Sequence, residues 1–164
     1  MKIISLALIF SASILLTPLI GTERHIEHFY YENYLGDNQG LTGLIGYYHD
    51  TYISPHVYFT VGTAWATTGF HGGYGTAALG LGYSAPLNAD LEWDAKVMVG
   101  AGGHFLIEAG GGILTQWQTG LRHRLADHFY GEIRYGGLNY PNGNYSVNTL
   151  SYGVAVDYSV LTWK

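Results

Sequence analysis

Leu91-Glu92-Trp93-Asp94-Ala95-Lys96-Val97-Met98-Val99 is the stretch on which the fold turns. Successive side chains of an extended strand point to opposite faces. Leu91, Trp93, Ala95, Val97 and Val99 therefore share an apolar face, and Glu92, Asp94, Lys96 and Met98 share a polar one. The same period of two recurs on both sides. Residues 56–66 set Val57, Phe59, Val61, Thr63 and Trp65 against Tyr58, Thr60, Gly62 and Ala64. Residues 76–84 set Ala77, Leu79, Leu81 and Tyr83 against Ala78, Gly80, Gly82 and Ser84. Residues 147–161 set Tyr152, Val154, Val156 and Tyr158 against Ser151, Gly153, Ala155 and Asp157. Segments 25–35, 41–49, 113–125 and 129–140 complete a set of eight, and no stretch after Thr22 has a helical period.

Composition agrees. Only 12% of the 164 residues are charged, against 24 glycines and 15 tyrosines, a balance that suits twisted strands better than helices. There is no cysteine, which excludes disulfides, thiolate metal sites and cysteine nucleophiles. A net charge of −5 with only seven Lys and Arg argues against a nucleic-acid partner.

The faces choose between a soluble β protein and a membrane barrel. A solvated face would carry many charges; here the second face is dominated by Gly, Ala and Ser. Small residues fit the crowded interior of a narrow barrel, while the apolar face with its Tyr and Trp suits lipid and its interfaces. The expected fold is all-β: an eight-stranded antiparallel up-and-down transmembrane β-barrel after a cleavable signal peptide. Residues 1–22 read as that peptide, with Lys2, an apolar run over 3–16, the break Thr17-Pro18 and small residues at Gly21 and Thr22. The run is shorter than the roughly 20 residues of a membrane helix; the alternative is a retained anchor. Residues 23–164 form the barrel domain.

Connections alternate in kind. Residues 50–55, 85–90 and 126–128 read as tight turns, while 67–75, 101–112 and 141–146 are mostly longer and glycine-rich; 36–40 is short. Outer-membrane barrels have short periplasmic turns and longer external loops, so both chain ends are expected on the periplasmic side.

On these segments the chain resembles the small eight-stranded outer-membrane barrels of Gram-negative bacteria, the OmpA-transmembrane, OmpX and OmpW kind. The resemblance implies residence in the bacterial outer membrane, contact with its lipid and lipopolysaccharide, and insertion by the barrel-assembly machinery. Such barrels usually end in an aromatic residue after an alternating strand. Val154, Val156, Tyr158 and Val160 alternate, but the aromatic Trp163 is penultimate.

Unpaired buried charge is costly, so the inward charges must pair. Glu92, Asp94, Lys96, Arg122, Arg124, Glu132, Arg134 and Asp157 are expected to form a lumen ion-pair network, with Arg122 opposite Glu132 and Gln116 and Gln118 on the same face. The alternative is a narrow gated pore. His25 and His28, three apart, point to opposite faces, and no histidine spacing matches a metal site; no metal, cofactor or catalytic set is assigned. Some barrels of this size are lipid A-modifying enzymes. The deacylases use His-x-Ser on a late strand, and no His-x-Ser occurs; the nearest match, His49-Asp50-Thr51, falls in an expected periplasmic turn. His71, His104, Phe105, Leu106 and Ile107 in the external loops offer a contact surface. The expected function is a plugged structural barrel whose extracellular loops meet a protein partner. The alternatives are a lipid A acyl hydrolase or acyltransferase and a narrow small-solute channel.

Overall fold

The computed structural model describes residues 24–36, 43–68, 73–103 and 112–159. The expected leader, the loop residues His71, His104, Phe105, Leu106 and Ile107, and Trp163 lie outside them. Eight strands follow in chain order: β1 (Arg24–Leu35), β2 (Gly43–Tyr52), β3 (Val57–Thr68), β4 (Gly75–Pro86), β5 (Leu91–Gly103), β6 (Ile113–Ala126), β7 (Phe129–Asn139) and β8 (Ser146–Ser159). Each pairs antiparallel with its neighbours, and β1 pairs with β8 from Arg24↔Ser159 to Leu35↔Asn148, closing the barrel. Closure leaves no strand edge with unpaired backbone groups.

The alternation in sequence becomes an inside and an outside. Phe29, Ile45, Leu79, Leu81, Val97, Val99, Ile133 and Tyr152 project outward and are exposed. Trp65, Trp93 and Trp117 share that outer face. Tight turns at 53–56, 87–90 and 127–128 gather at the end where β1 begins. In the last of them His128 has φ 63°, a left-handed conformation uncommon outside glycine.

Two expectations change. The sequence places a turn from Asp50, but β2 runs on to Tyr52. Asp50 is tolerated there because its carboxylate points into the lumen and meets His28. The tyrosines, expected at the membrane interfaces, also fill the interior: Tyr30, Tyr34, Tyr48, Tyr52, Tyr58, Tyr74, Tyr130 and Tyr140 are buried. Inward glycines on neighbouring strands make room for them. Tyr30 lies opposite Gly46, Tyr48 opposite Gly62 and Tyr58 opposite Gly82. A Cβ on any of these three glycines would fall inside the facing ring. The narrow lumen is thus packed by pairing the largest common side chain with the absence of one.

Gly82→Val tests this packing. Tyr58 is held by Asp94 and cannot yield, so the variant is expected to lose about 1–3 kcal/mol or more, read by urea unfolding in detergent. Ala77→Val, on the outer face, should stay within about 0.5 kcal/mol.

Candidate functional site

Charged and polar side chains fill the lumen in layers rising from the tight-turn end. At the mouth, Arg24 reaches across from β1 to Glu92 (3.1 Å) and also bonds Asp157 (2.8 Å). Its guanidinium lies 4.5 Å from the centre of the Tyr52 ring. Arg122 donates to Glu92 through Nε at 3.1 Å and through Nη2, and its Nη2 also donates to Tyr52 Oη at 3.1 Å. Tyr52 in turn meets Ser84 at 3.0 Å. Arg122 is 1% exposed, so its guanidinium is buried at the mouth.

The second layer is more tightly buried. His28 places Nε2 2.8 Å from Asp50 and Nδ1 2.9 Å from Glu132. Donation to both carboxylates requires the imidazolium, since a neutral ring has one N–H. Arg134 bonds Glu132 at 2.9 Å and Asp94 at 3.4 Å, and the Tyr58 hydroxyl donates to Asp94. Lys96 sits in the same layer with its ammonium 3.6 Å from the centre of the Tyr48 ring. Asp94 and Glu132 thus face Arg134, and Asp50 and Glu132 face His28, while the Lys96 ammonium rests on the Tyr48 ring. Matching of this kind is what makes buried charge tolerable.

Above it the lumen turns from charged to amide and phenol. Gln118 donates to Glu32 at 3.0 Å, and Tyr48 donates to Gln116 at 3.1 Å. The far end carries a phenol chain, Tyr34 to Tyr74 (3.2 Å) and Tyr74 to Tyr140 (2.9 Å), packed among Leu44, Leu114, Leu138 and Val147. No three His, Asp or Glu side chains converge as a metal would need among the described residues.

Seven of the eight charges singled out in sequence, Glu92, Asp94, Lys96, Arg122, Glu132, Arg134 and Asp157, face the lumen. Arg124 does not join them: it is exposed beyond the mouth, with its guanidinium 5.9 Å from the centre of the Tyr130 ring. The register Arg122↔Glu132 is observed, but Arg122 pairs with Glu92, its neighbour on β5, and Glu132 turns to His28 and Arg134. Arg24, His28, Glu32 and Asp50 were missed. His28 and Glu32 keep the inward parity of Tyr30, a signal available once β1 is phased. Asp50 was hidden by its turn-like neighbours.

No described protein family matches the sequence, and no curated protein matches it. Solved structures do match in shape. A de novo designed transmembrane β-barrel superposes with a TM-score of 0.64 at 14% identity, covering 84% of this chain and 97% of the other. The N-terminal β-barrel domain of Pseudomonas aeruginosa OprF gives 0.61 at 11% identity, covering 84% and 99%. The Yersinia pestis outer membrane protein Ail, the attachment invasion locus protein, gives 0.57 at 12% identity, covering 84% and 100%. At these identities the likeness is one of fold.

Removing Arg134 takes the paired cation from Asp94 and leaves Glu132 with His28 alone. Arg134→Met is expected to destabilise the barrel by about 3–5 kcal/mol, measured by urea unfolding in detergent. Arg124→Met should change stability by less than about 0.5 kcal/mol.

Proposed function

We propose that the chain is an integral outer-membrane β-barrel with a plugged lumen, acting as a structural and surface-interaction protein through its extracellular loops. The observation that carries this is the inversion of the two faces. The outside carries a belt of exposed Leu, Val, Ile, Tyr and Trp, while most of the charged side chains of the wall, Asp50, Asp94, Lys96, Arg122, Glu132 and Arg134 among them, are packed inside. A water-soluble barrel would bury the belt and expose the charges. Lipid is the solvent in which this arrangement is stable.

Three further points support the reading. The signal-peptide pattern of residues 1–22 supplies a route of export. The tight turns gather at the end where the chain enters the barrel, which suits a periplasmic end. The barrels of similar fold include Ail, the attachment invasion locus protein of Yersinia pestis, and attachment is work done by loops on a rigid scaffold. The partners of the barrel are then outer-membrane lipid and lipopolysaccharide, the assembly machinery during insertion, and a protein partner at the loops that hold His71, His104, Phe105, Leu106 and Ile107. The channel reading is disfavoured because Arg24, Arg122 and Glu92 bridge the mouth and His28, Arg134 and their carboxylates fill the level above.

Two measurements check the proposal. Planar-bilayer recording of the purified protein should show no stable conductance; regular open-channel steps would overturn the plugged lumen. Val97→Arg, on the most exposed part of the belt, should cost about 2–4 kcal/mol in lipid vesicles if it lies near the bilayer midplane. A soluble, detergent-independent monomer would overturn the membrane reading.

A further inference from the structure

One polar cluster lies outside the lumen, on the outer face near the tight-turn end. His49 and Thr51 are two apart on β2 and so share a face, and Glu27 is the direct partner of His49 across the β1–β2 ladder. Thr51 Oγ1 lies 3.0 Å from His49 Nε2, and His49 Nδ1 lies 2.8 Å from Glu27 Oε1. An ionised carboxylate only accepts, so the His49 proton sits on Nδ1 and the Nε2 lone pair faces the threonine hydroxyl. Glu27 is itself fixed. The Tyr158 hydroxyl donates to Oε1 at 2.9 Å and the Tyr47 hydroxyl donates to Oε2. His25, opposite Thr51 in the ladder, brings Nδ1 to 3.4 Å from Thr51 Oγ1 and stacks on the rings of His49 and Tyr158.

The cluster takes no part in filling the lumen. Ionisable groups on the lipid side of a barrel are costly, and this cluster joins two histidines and a carboxylate there by hydrogen bonds and ring stacking. A hydroxyl, a histidine base and an orienting carboxylate in one hydrogen-bonded line are the parts of an activated nucleophile. They lie close to the expected periplasmic interface, where the surrounding lipid is glycerophospholipid and the ester carbonyls lie at that depth.

We propose that Thr51, His49 and Glu27 hydrolyse an acyl ester of a glycerophospholipid in the periplasmic leaflet; the inference rests on the membrane reading above. Thr51 Oγ1 adds to the ester carbonyl carbon while His49 Nε2 takes the hydroxyl proton. His25 Nδ1, 3.4 Å from Thr51 Oγ1, is assigned, as the Nδ1–H tautomer, to donate to the oxygen that becomes anionic. The adduct collapses, the bond to the glycerol oxygen breaks, and that oxygen leaves with the proton from His49. Water then adds to the acyl-threonine, giving its proton to His49. Collapse releases the fatty acid and returns that proton to Oγ1. Glu27 holds the ring and balances the imidazolium throughout. Thr51 is 4% exposed, so entry of the ester requires a flanking ring to swing aside.

The test uses the full chain purified in detergent, with mixed micelles of phosphatidylethanolamine and phosphatidylglycerol as substrate and lipopolysaccharide in a parallel reaction. Heat-modifiable gel migration is scored on every sample, so a failure to fold in detergent, which defeats the membrane reading, is distinguished from a folded barrel without activity. The expected result is fatty acid and lysophospholipid from the phospholipid micelles. Thr51→Ala and His49→Asn should slow release by about 100-fold or more, and Thr51→Ser should retain it. Labelling of the wild-type chain by a fluorophosphonate, mapped by peptide mass spectrometry, gives a readout independent of variant folding: the label is expected on Thr51. A folded wild-type barrel that releases no fatty acid, release undiminished in folded Thr51→Ala, release from lipopolysaccharide alone, or no label on Thr51 would each overturn the proposal.

Discussion

The pairing of β1 with β8 is the constraint from which the other features follow. Once the ring closes at eight strands, every backbone group along the wall is paired and the interior is fixed at a width that side chains must fill. Filling with apolar side chains alone would give a soluble-like core and leave nothing to distinguish inside from outside. This chain instead fills the ring with tyrosines set against glycines and with charges set against charges. Each tyrosine opposite a glycine uses a strand pair to hold one ring, so Tyr30, Tyr48 and Tyr58 fit without widening the wall.

The charges obey the same constraint. Arg134 touches both Asp94 and Glu132, and His28 touches both Glu132 and Asp50. The network therefore joins β1, β2, β5 and β7 across the lumen rather than along one hairpin. Such cross-links discourage register slips, because a one-residue shift of any strand would send its charges to the lipid face. At the mouth, Arg24 performs the same service between β1 and β5.

Much of this was legible from period two alone. The phase of residues 91–99 placed Glu92, Asp94 and Lys96 inward, and the phase of 129–140 did so for Glu132 and Arg134. Pairing partners were less legible, because a strand has neighbours on both sides and the sequence does not say which one an arginine prefers. Arg122 chose Glu92 over Glu132 for that reason. Arg124 keeps the inward parity but stands past the end of the lumen, where parity no longer decides burial. The segments 25–35 and 41–49 carry aromatic and polar residues on both faces, so their phase was faint. Those two strands hold His28, Glu32 and Asp50 inside and Glu27, His49 and Thr51 outside. The turn-like Asp50 hid the second of these sets by cutting His49 away from Thr51. A polar cluster on the outer face is also invisible to a rule that equates outward with apolar.

The filled interior moves the search for function to the outside of the wall, to the loops at one end and the Thr51–His49–Glu27 line at the other. Both depend on the barrel facing lipid. The most direct measurement is tryptophan fluorescence of the protein reconstituted in vesicles whose acyl chains carry bromine. Trp65, Trp93 and Trp117 project from the outer face and make up three of the four tryptophans. The account predicts strong quenching by brominated chains and weak quenching by aqueous iodide. Strong iodide quenching with no effect of the brominated lipid would contradict it.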